Sequence, residues 1–186
     1  PIWNIPFYFY AVSLDSGELI EFNESDFDSK LEYAKALAAS TTVPLLWSPI
    51  PEIKTKTRTY YNVVDGGLRE GFPISGAIKR MPKDIDCHLI GLSCNKSKLK
   101  PVKITNQLQI AARTAEIMMN EALVNDCKEL DLRNEIAWRY GEEINNRLIP
   151  NTIIEYSGLR GSMSFSEQAF EDMRLSAIQD IKAFSV

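Results

Sequence analysis

Tyr60-Tyr61-Asn62-Val63-Val64-Asp65-Gly66-Gly67-Leu68-Arg69-Glu70-Gly71-Phe72-Pro73-Ile74 is the stretch whose reading decides the fold. Its first five residues are aromatic and β-branched apart from Asn62, which is the composition of a strand. Gly66 and Gly67 then allow a tight turn and close approach of backbone to other groups. Asp65 is thereby expected at the end of a strand, on a loop, where open α/β sheets hold their ligands. A carboxylate held there can work as a general base. Asp-Gly-Gly is equally a turn made of turn residues, and these three residues alone leave both readings open.

Working outward, elements alternate. Residues 5–14 and 18–22 read as strands around the turn Asp15-Ser16-Gly17-Glu18. Ser25-Asp26-Phe27-Asp28 is expected to cap a helix over about residues 28–40, with Leu31, Ala34, Leu37 and Ala38 on one face. Residues 43–53 hold three prolines and are expected to be irregular. Lys54 to Thr59 alternates charge with Thr, as in an exposed edge strand. Past the Asp65 turn, Pro73 opens a short helix to Arg80. Asp86 to Ser93 reads as a buried strand, followed by a basic loop from Lys96 to Lys103. Residues 104–123 and 128–149 are expected as two helices, ended by Pro150. Ile153-Ile154-Glu155-Tyr156 is a short strand. Ser164 and Glu167 form a capping box for a last helix to about Phe184, with Ser166 as the alternative cap. Strands alternating with helices predict a layered α/β fold.

Composition sets limits. A chain of 186 residues with 45% hydrophobic and 25% charged residues is of single-domain size and ordinary globular composition. A net charge of −4 argues against nucleic acid as partner. Three cysteines, Cys87, Cys94 and Cys127, lack the spacing of a metal or disulfide framework. So sparse and odd a count points to a reducing, cytoplasmic compartment. Neither metal nor cofactor is implied.

Three segments occur in a telling order. Leu37-Ala38-Ala39-Ser40-Thr41-Thr42-Val43-Pro44 runs into Leu45-Leu46-Trp47-Ser48-Pro49, ahead of Asp65-Gly66-Gly67. Ser13-Leu14-Asp15-Ser16-Gly17-Glu18 precedes both. This order resembles the patatin-like acyl hydrolases (patatin-like phospholipases), over residues 7–92, with a helical region over 104–186 beyond it. The resemblance implies a three-layer fold with a mostly parallel central sheet flanked by helices, of which this single domain is the C-terminal portion. It implies a Ser–Asp dyad acting on a lipid or other acyl ester, with Asp65 as base and Gly66 and Gly67 shaping the loop. The family's nucleophile elbow, G-x-S-x-G, is not found. The nearest string, Gly91-Leu92-Ser93-Cys94-Asn95, ends in Asn and follows the Asp, whereas the family's Ser precedes it. The serine and oxyanion hole are therefore expected in a missing N-terminal portion of the same polypeptide. The alternative is an inactive relative that acts as an interaction module. Gly71 stands where the family usually has Asn.

Other residues have simpler roles beside the chemical ones. His88, the only histidine, would serve a Ser–His–Asp triad but reads as a core histidine of its strand. Ser93 lacks an elbow's glycines, and nothing beside Cys94 activates its thiol. Lys96, Lys98, Lys100 and Lys103 offer a peripheral membrane contact or a solvated loop. Trp47, Tyr60, Tyr61 and Phe72 line an acyl pocket or pack the core. An exposed aspartate, with a pKa of roughly 4, is a weak base near neutrality, and burial without a cation corrects this.

Overall fold

A computed structural model of the chain describes residues 5–82, 87–93, 99, 101–144, 149, 151–155, 168, 171, 174, 175 and 178. The chain is mixed α/β and divides into two compact units. The first comprises Pro1–Pro73 and Val102–Asp126, the second Ile74–Pro101 and Cys127–Val186.

The first unit is built on a four-stranded sheet of β1 (Tyr8–Ser13), β2 (Leu19–Asn23), β3 (Ile50–Lys54) and β4 (Thr59–Asp65), in the order β2-β1-β4-β3. Every neighbouring pair in it is antiparallel. The expectation of a mostly parallel sheet is corrected here, and the cause is local. β1 and β2 are joined by a tight turn with Gly17 at φ 68°, and β3 and β4 by Thr55–Arg58. Connections this short reverse the chain, whereas parallel strands need a long crossover. The segment expected as an edge strand over Lys54 to Thr59 is this β3–β4 turn. Thr55 Oγ1 donates to the Arg58 carbonyl at 2.8 Å and accepts from the Arg58 N–H at 3.1 Å.

β3 itself lies in the span expected to be irregular. Pro51 is tolerated because β3 is an edge strand, where a missing N–H breaks no central ladder.

α1 (Lys30–Ala39) covers one face of the sheet, on which Phe9, Ala11, Ile20, Phe22, Ile53 and Val63 are buried with Ala36 and Ala39. Ser29 caps α1 by accepting the Leu31 N–H, so the cap lies one residue beyond the expected Ser25–Asp28. That earlier segment contains its own 3-10 turn, Glu24–Asp26, capped by Asn23. Phe22 is the centre of the core, with ring centroids of Phe9, Phe27 and Tyr60 at 5.5–5.6 Å. Tilted and edge-on ring contacts of this kind add to burial.

Tyr60 reaches Phe22 because of Asn62. In a regular strand, residues three apart face opposite sides. Yet Tyr60 and Val63 both pack on the core, as do their partners Ile53 and Ile50. Asn62, at φ 48°, absorbs the reversal and bends the hairpin inward. The bend brings the Lys56 N–H to the Asp26 carbonyl at 2.9 Å. Asn visits the left-handed region more readily than a residue with a branched side chain. Its amide also donates to Asp15 Oδ1 at 2.7 Å. Asn62→Val is therefore expected to lose about 2 kcal/mol of stability, from left-handed strain and the lost hydrogen bond. Asn62→Gly should lose less than about 1 kcal/mol. Urea denaturation of the two variants checks the order.

In the second unit, β5 (Leu89–Ser93) pairs in parallel with β6 (Asn151–Glu155). β5 buries Gly91 and Ser93 but leaves Ile90 65% and Leu92 70% exposed, so it is not buried on both faces as expected. α2 (Ile74–Arg80) follows Pro73 as expected. The two helices expected over 104–149 are one, α3 (Gln107–Ile144), with its first part in one unit and its second part in the other. Val124-Asn125-Asp126-Cys127 contains no glycine or proline to break it. Gln168, Glu171, Arg174, Leu175 and Ile178 are helical. The caps expected for that helix, Ser164, Ser166 and Glu167, lie outside the described residues, as does Tyr156.

Candidate functional site

Asp65 is the last residue of β4. It pairs with Ala11 of the neighbouring β1, and its N–H donates to the Thr42 carbonyl at 3.0 Å. The strand side is therefore held by β1, and the other side by the segment that follows α1. Asp65 then caps a 3-10 turn, Gly66–Leu68, with Oδ1 accepting the Gly67 N–H at 2.7 Å. Side-chain acceptance of an N–H two residues on is the usual role of a turn or cap aspartate.

The electrostatics go beyond a turn. Burial pushes the Asp65 carboxyl above the usual aspartate range, and the Gly67 N–H offsets only part of the rise. No nearby cation enters the balance. A half-buried carboxylate without a countercharge is a stronger base than a solvated one. Raised carboxylates of this sort concentrate at functional sites, and they also occur in purely structural settings.

The glycines after Asp65 have separate reasons. A Cβ on Gly66 would lie 2.6 Å from the carbonyl carbon and oxygen of Tyr10 in β1. Gly66 is thus required for the turn to press against the sheet. A Cβ on Gly67 would meet only side-chain ends, Asp65 Oδ1 at 3.1 Å and Met119 Cε at 3.2 Å. At Gly71 it would lie 2.7–2.8 Å from Cβ, Cα and N of Leu123 in α3. One residue on, the Phe72 N–H donates to Asp126 Oδ2 at 2.8 Å. The loop from Asp65 to Phe72 is therefore clamped between β1 and the Met119–Asp126 stretch of α3. The sequence signalled Gly71 only as a departure from a pattern. A glycine four residues past Gly67, with a helical Asp downstream, carries no local sign of this contact.

The remaining candidates do not gather at Asp65. His88 is exposed and pairs with Thr152 Oγ1 of β6 at 2.9 Å, a surface position and not the core one expected. Ser93 is buried at the end of β5, in the second unit, whereas Asp65 belongs to the first. Cys94, Lys96, Lys98 and Lys100 lie outside the described residues, and Lys103 is exposed. Cys87 and Cys127 are both half-buried and neither is in a disulfide. Tyr60 joins the core while Tyr61 is exposed, so these neighbours face opposite sides of β4 and do not line one acyl pocket. Phe72 is buried and Trp47 is exposed. Among the described residues no group of His, Cys, Asp and Glu is placed to hold a metal, and no helix is long and apolar enough to cross a membrane.

No known protein family, curated protein or solved structure matches the chain.

Proposed function

We propose that this chain carries the aspartate half of a Ser–Asp acyl hydrolase of the patatin-like kind, with Asp65 as general base and a fatty-acyl ester as substrate. The single observation that supports it most is the state of Asp65: a strand-end carboxylate, half-buried without a countercharge, with its basicity raised by burial. In this reading the serine hydroxyl passes its proton to Asp65 as its oxygen attacks the ester carbonyl. The same proton goes to the departing alcohol, and water then releases the acid through the same base. The rise in pKa brings the base nearer the pH at which it works. Gly67 keeps a side chain away from Asp65 Oδ1, while Gly66 lets the turn press against β1. The serine and the oxyanion donors come from residues outside this sequence, within a three-layer fold that this chain helps to complete.

A second reading is an inactive relative that binds a partner. It is favoured by one feature, the absence of G-x-S-x-G from these 186 residues. Treatment of the native protein with a fluorophosphonate, followed by intact-mass analysis, separates the two. The hydrolase reading expects a labelled species well above 21.1 kDa that contains these peptides. An unlabelled species of 21.1 kDa without esterase activity would leave only the binding module.

A further inference from the structure

Asp65 and Phe72 bound a loop of which only the first end is held by the sheet. At that end Asp65 pairs with Ala11 of β1, and its N–H donates to the Thr42 carbonyl. At the other end the Phe72 N–H donates to Asp126 Oδ2 at 2.8 Å. Phe72 is buried and lies in the bend between the 3-10 turn and α2. Its N–H has no acceptor from a helix or strand, and leaving such a group unpaired is costly. Asp126 supplies the acceptor from within the same compact unit. It shares one face of α3 with Met119 and Leu123, seven and three residues before it. Leu123 meets Gly71. Met119 Cε and Asp65 Oδ1 both lie within 3.2 Å of the position a Gly67 Cβ would take, so the methionine end and the carboxylate are near neighbours. The helix thus lends apolar cover to Asp65.

We propose that Asp126 is a positioning residue for Asp65: through the Phe72 N–H it holds the Asp65–Phe72 loop on α3 and so keeps the Asp65 carboxyl covered. Two features single out Asp126 among the contacts of the clamp. The contacts at Gly67 and Gly71 are van der Waals approaches, each weak by itself and without direction. The Asp126 contact is directional, and a carboxylate accepting an N–H makes a bond about twice as strong as a neutral pair does. Its place matters as well. Gly66, Gly67 and Gly71 leave the intervening chain too supple to keep its shape unaided. A loop released at Phe72 would swing from Met119 and admit water to Asp65, with β4 unchanged. That Asp65 then serves as the base of an ester hydrolysis rests on the Ser–Asp reading. That Asp126 holds it in place does not.

The test is the titration of Asp65, followed by carboxyl-carbon NMR, in the native protein and its variants. Asp126→Asn keeps an oxygen for the Phe72 N–H, and Asp126→Ala removes it. In Asp126→Ala the Asp65 midpoint is expected to fall towards the ordinary aspartate range, because burial is what raises it. Asp126→Asn should keep most of the rise. Ile53→Val trims the buried core of the same unit and should leave the midpoint where it is. In the active enzyme Asp126→Ala should lower kcat on the order of 10- to 100-fold with KM near the parent's, and Asp126→Asn should keep most of the rate. An Asp65 midpoint unchanged in Asp126→Ala would overturn the proposal. An equal fall in Ile53→Val would overturn it in favour of general loosening, and an equal fall in Asp126→Asn in favour of a direct effect of charge. If Asp126→Ala does not fold, amide exchange in the parent decides. The Gly67 and Phe72 amides should open together, and a freely exchanging Gly67 beside a protected Phe72 would overturn the proposal. A midpoint that falls in Asp126→Ala, in a protein that takes no fluorophosphonate label, would sink the Ser–Asp reading and leave the positioning role standing.

Discussion

Asp65→Asn should lower kcat/KM for fatty-acyl ester hydrolysis roughly 10²–10⁴-fold, the range typical of a lost general base. The substitution keeps the size of the side chain and an oxygen for the Gly67 N–H, so the 3-10 turn should persist. It should also make the protein more stable at neutral pH. In the folded state burial raises the Asp65 pKa, so folded protein holds its proton more tightly than unfolded chain. Between the ordinary aspartate value and the raised one the folded state binds more protons. Stability therefore falls as pH rises through that window and stays lower above it. Asparagine has no charge to desolvate and escapes this loss. The melting temperature of Asp65→Asn should exceed that of the parent at pH 7, with the gap closing at about pH 3, where the carboxyl is neutral in both states. In the active enzyme the acidic limb of the kcat/KM profile should lie above the usual aspartate range, because the base must lose its proton to act. Full activity in Asp65→Asn would end the catalytic assignment. A gain in stability without loss of activity would show that the buried carboxylate is only a turn residue at an unfavourable position.

Much of the first unit was legible because its signals are local. Alternation and turn residues locate β1, β2 and β4, and the apolar stripe around Leu37 locates α1. Asp65 at a strand end follows from the β-branched run before it and the glycines after it. What the sequence concealed depends on distant partners. Pro51 sits in a strand because β3 is an edge, and a sequence does not state which strand is at the edge. Asn62 looks like an ordinary polar position, yet it reverses the strand so that Tyr60 and Val63 share a face. α3 continues through Val124–Cys127 because nothing there interrupts a helix. Two short turns set the antiparallel β1–β2 and β3–β4 pairs, whereas the mostly parallel sheet was what the family resemblance implied; the antiparallel β1–β4 pair joins distant strands and has no local signal. At the site, the partner of the Asp65 N–H is a carbonyl 23 residues earlier, and a main-chain acceptor has no sequence signature.

The same distant contacts make the glycines the second place where a single atom has a large effect. Gly71→Ala is expected to cost about 3 kcal/mol, the upper end for forcing extra volume into packed structure. The added carbon would fall within 2.7–2.8 Å of Leu123 Cβ, Cα and N, and a helix backbone has no rotamer with which to move aside. Gly66→Ala should cost as much, since its Cβ meets the carbonyl of Tyr10 in a central strand. Gly67→Ala should cost within about 1 kcal/mol, because the ends of Met119 and Asp65 can shift by the few tenths of an ångström required. The contrast isolates backbone contact from glycine's flexibility, which all three variants lose alike. Gly71→Asn carries the comparison to the family pattern that places asparagine there. If α3 lies against the loop as the Phe72–Asp126 hydrogen bond indicates, asparagine is excluded and Gly71 is the residue that lets the helix approach. Urea midpoints measured side by side decide it. A Gly71→Asn protein as stable as the parent would mean that α3 does not press on the loop, and the clamp on Asp65 would then have to come from β1 and Thr42 alone.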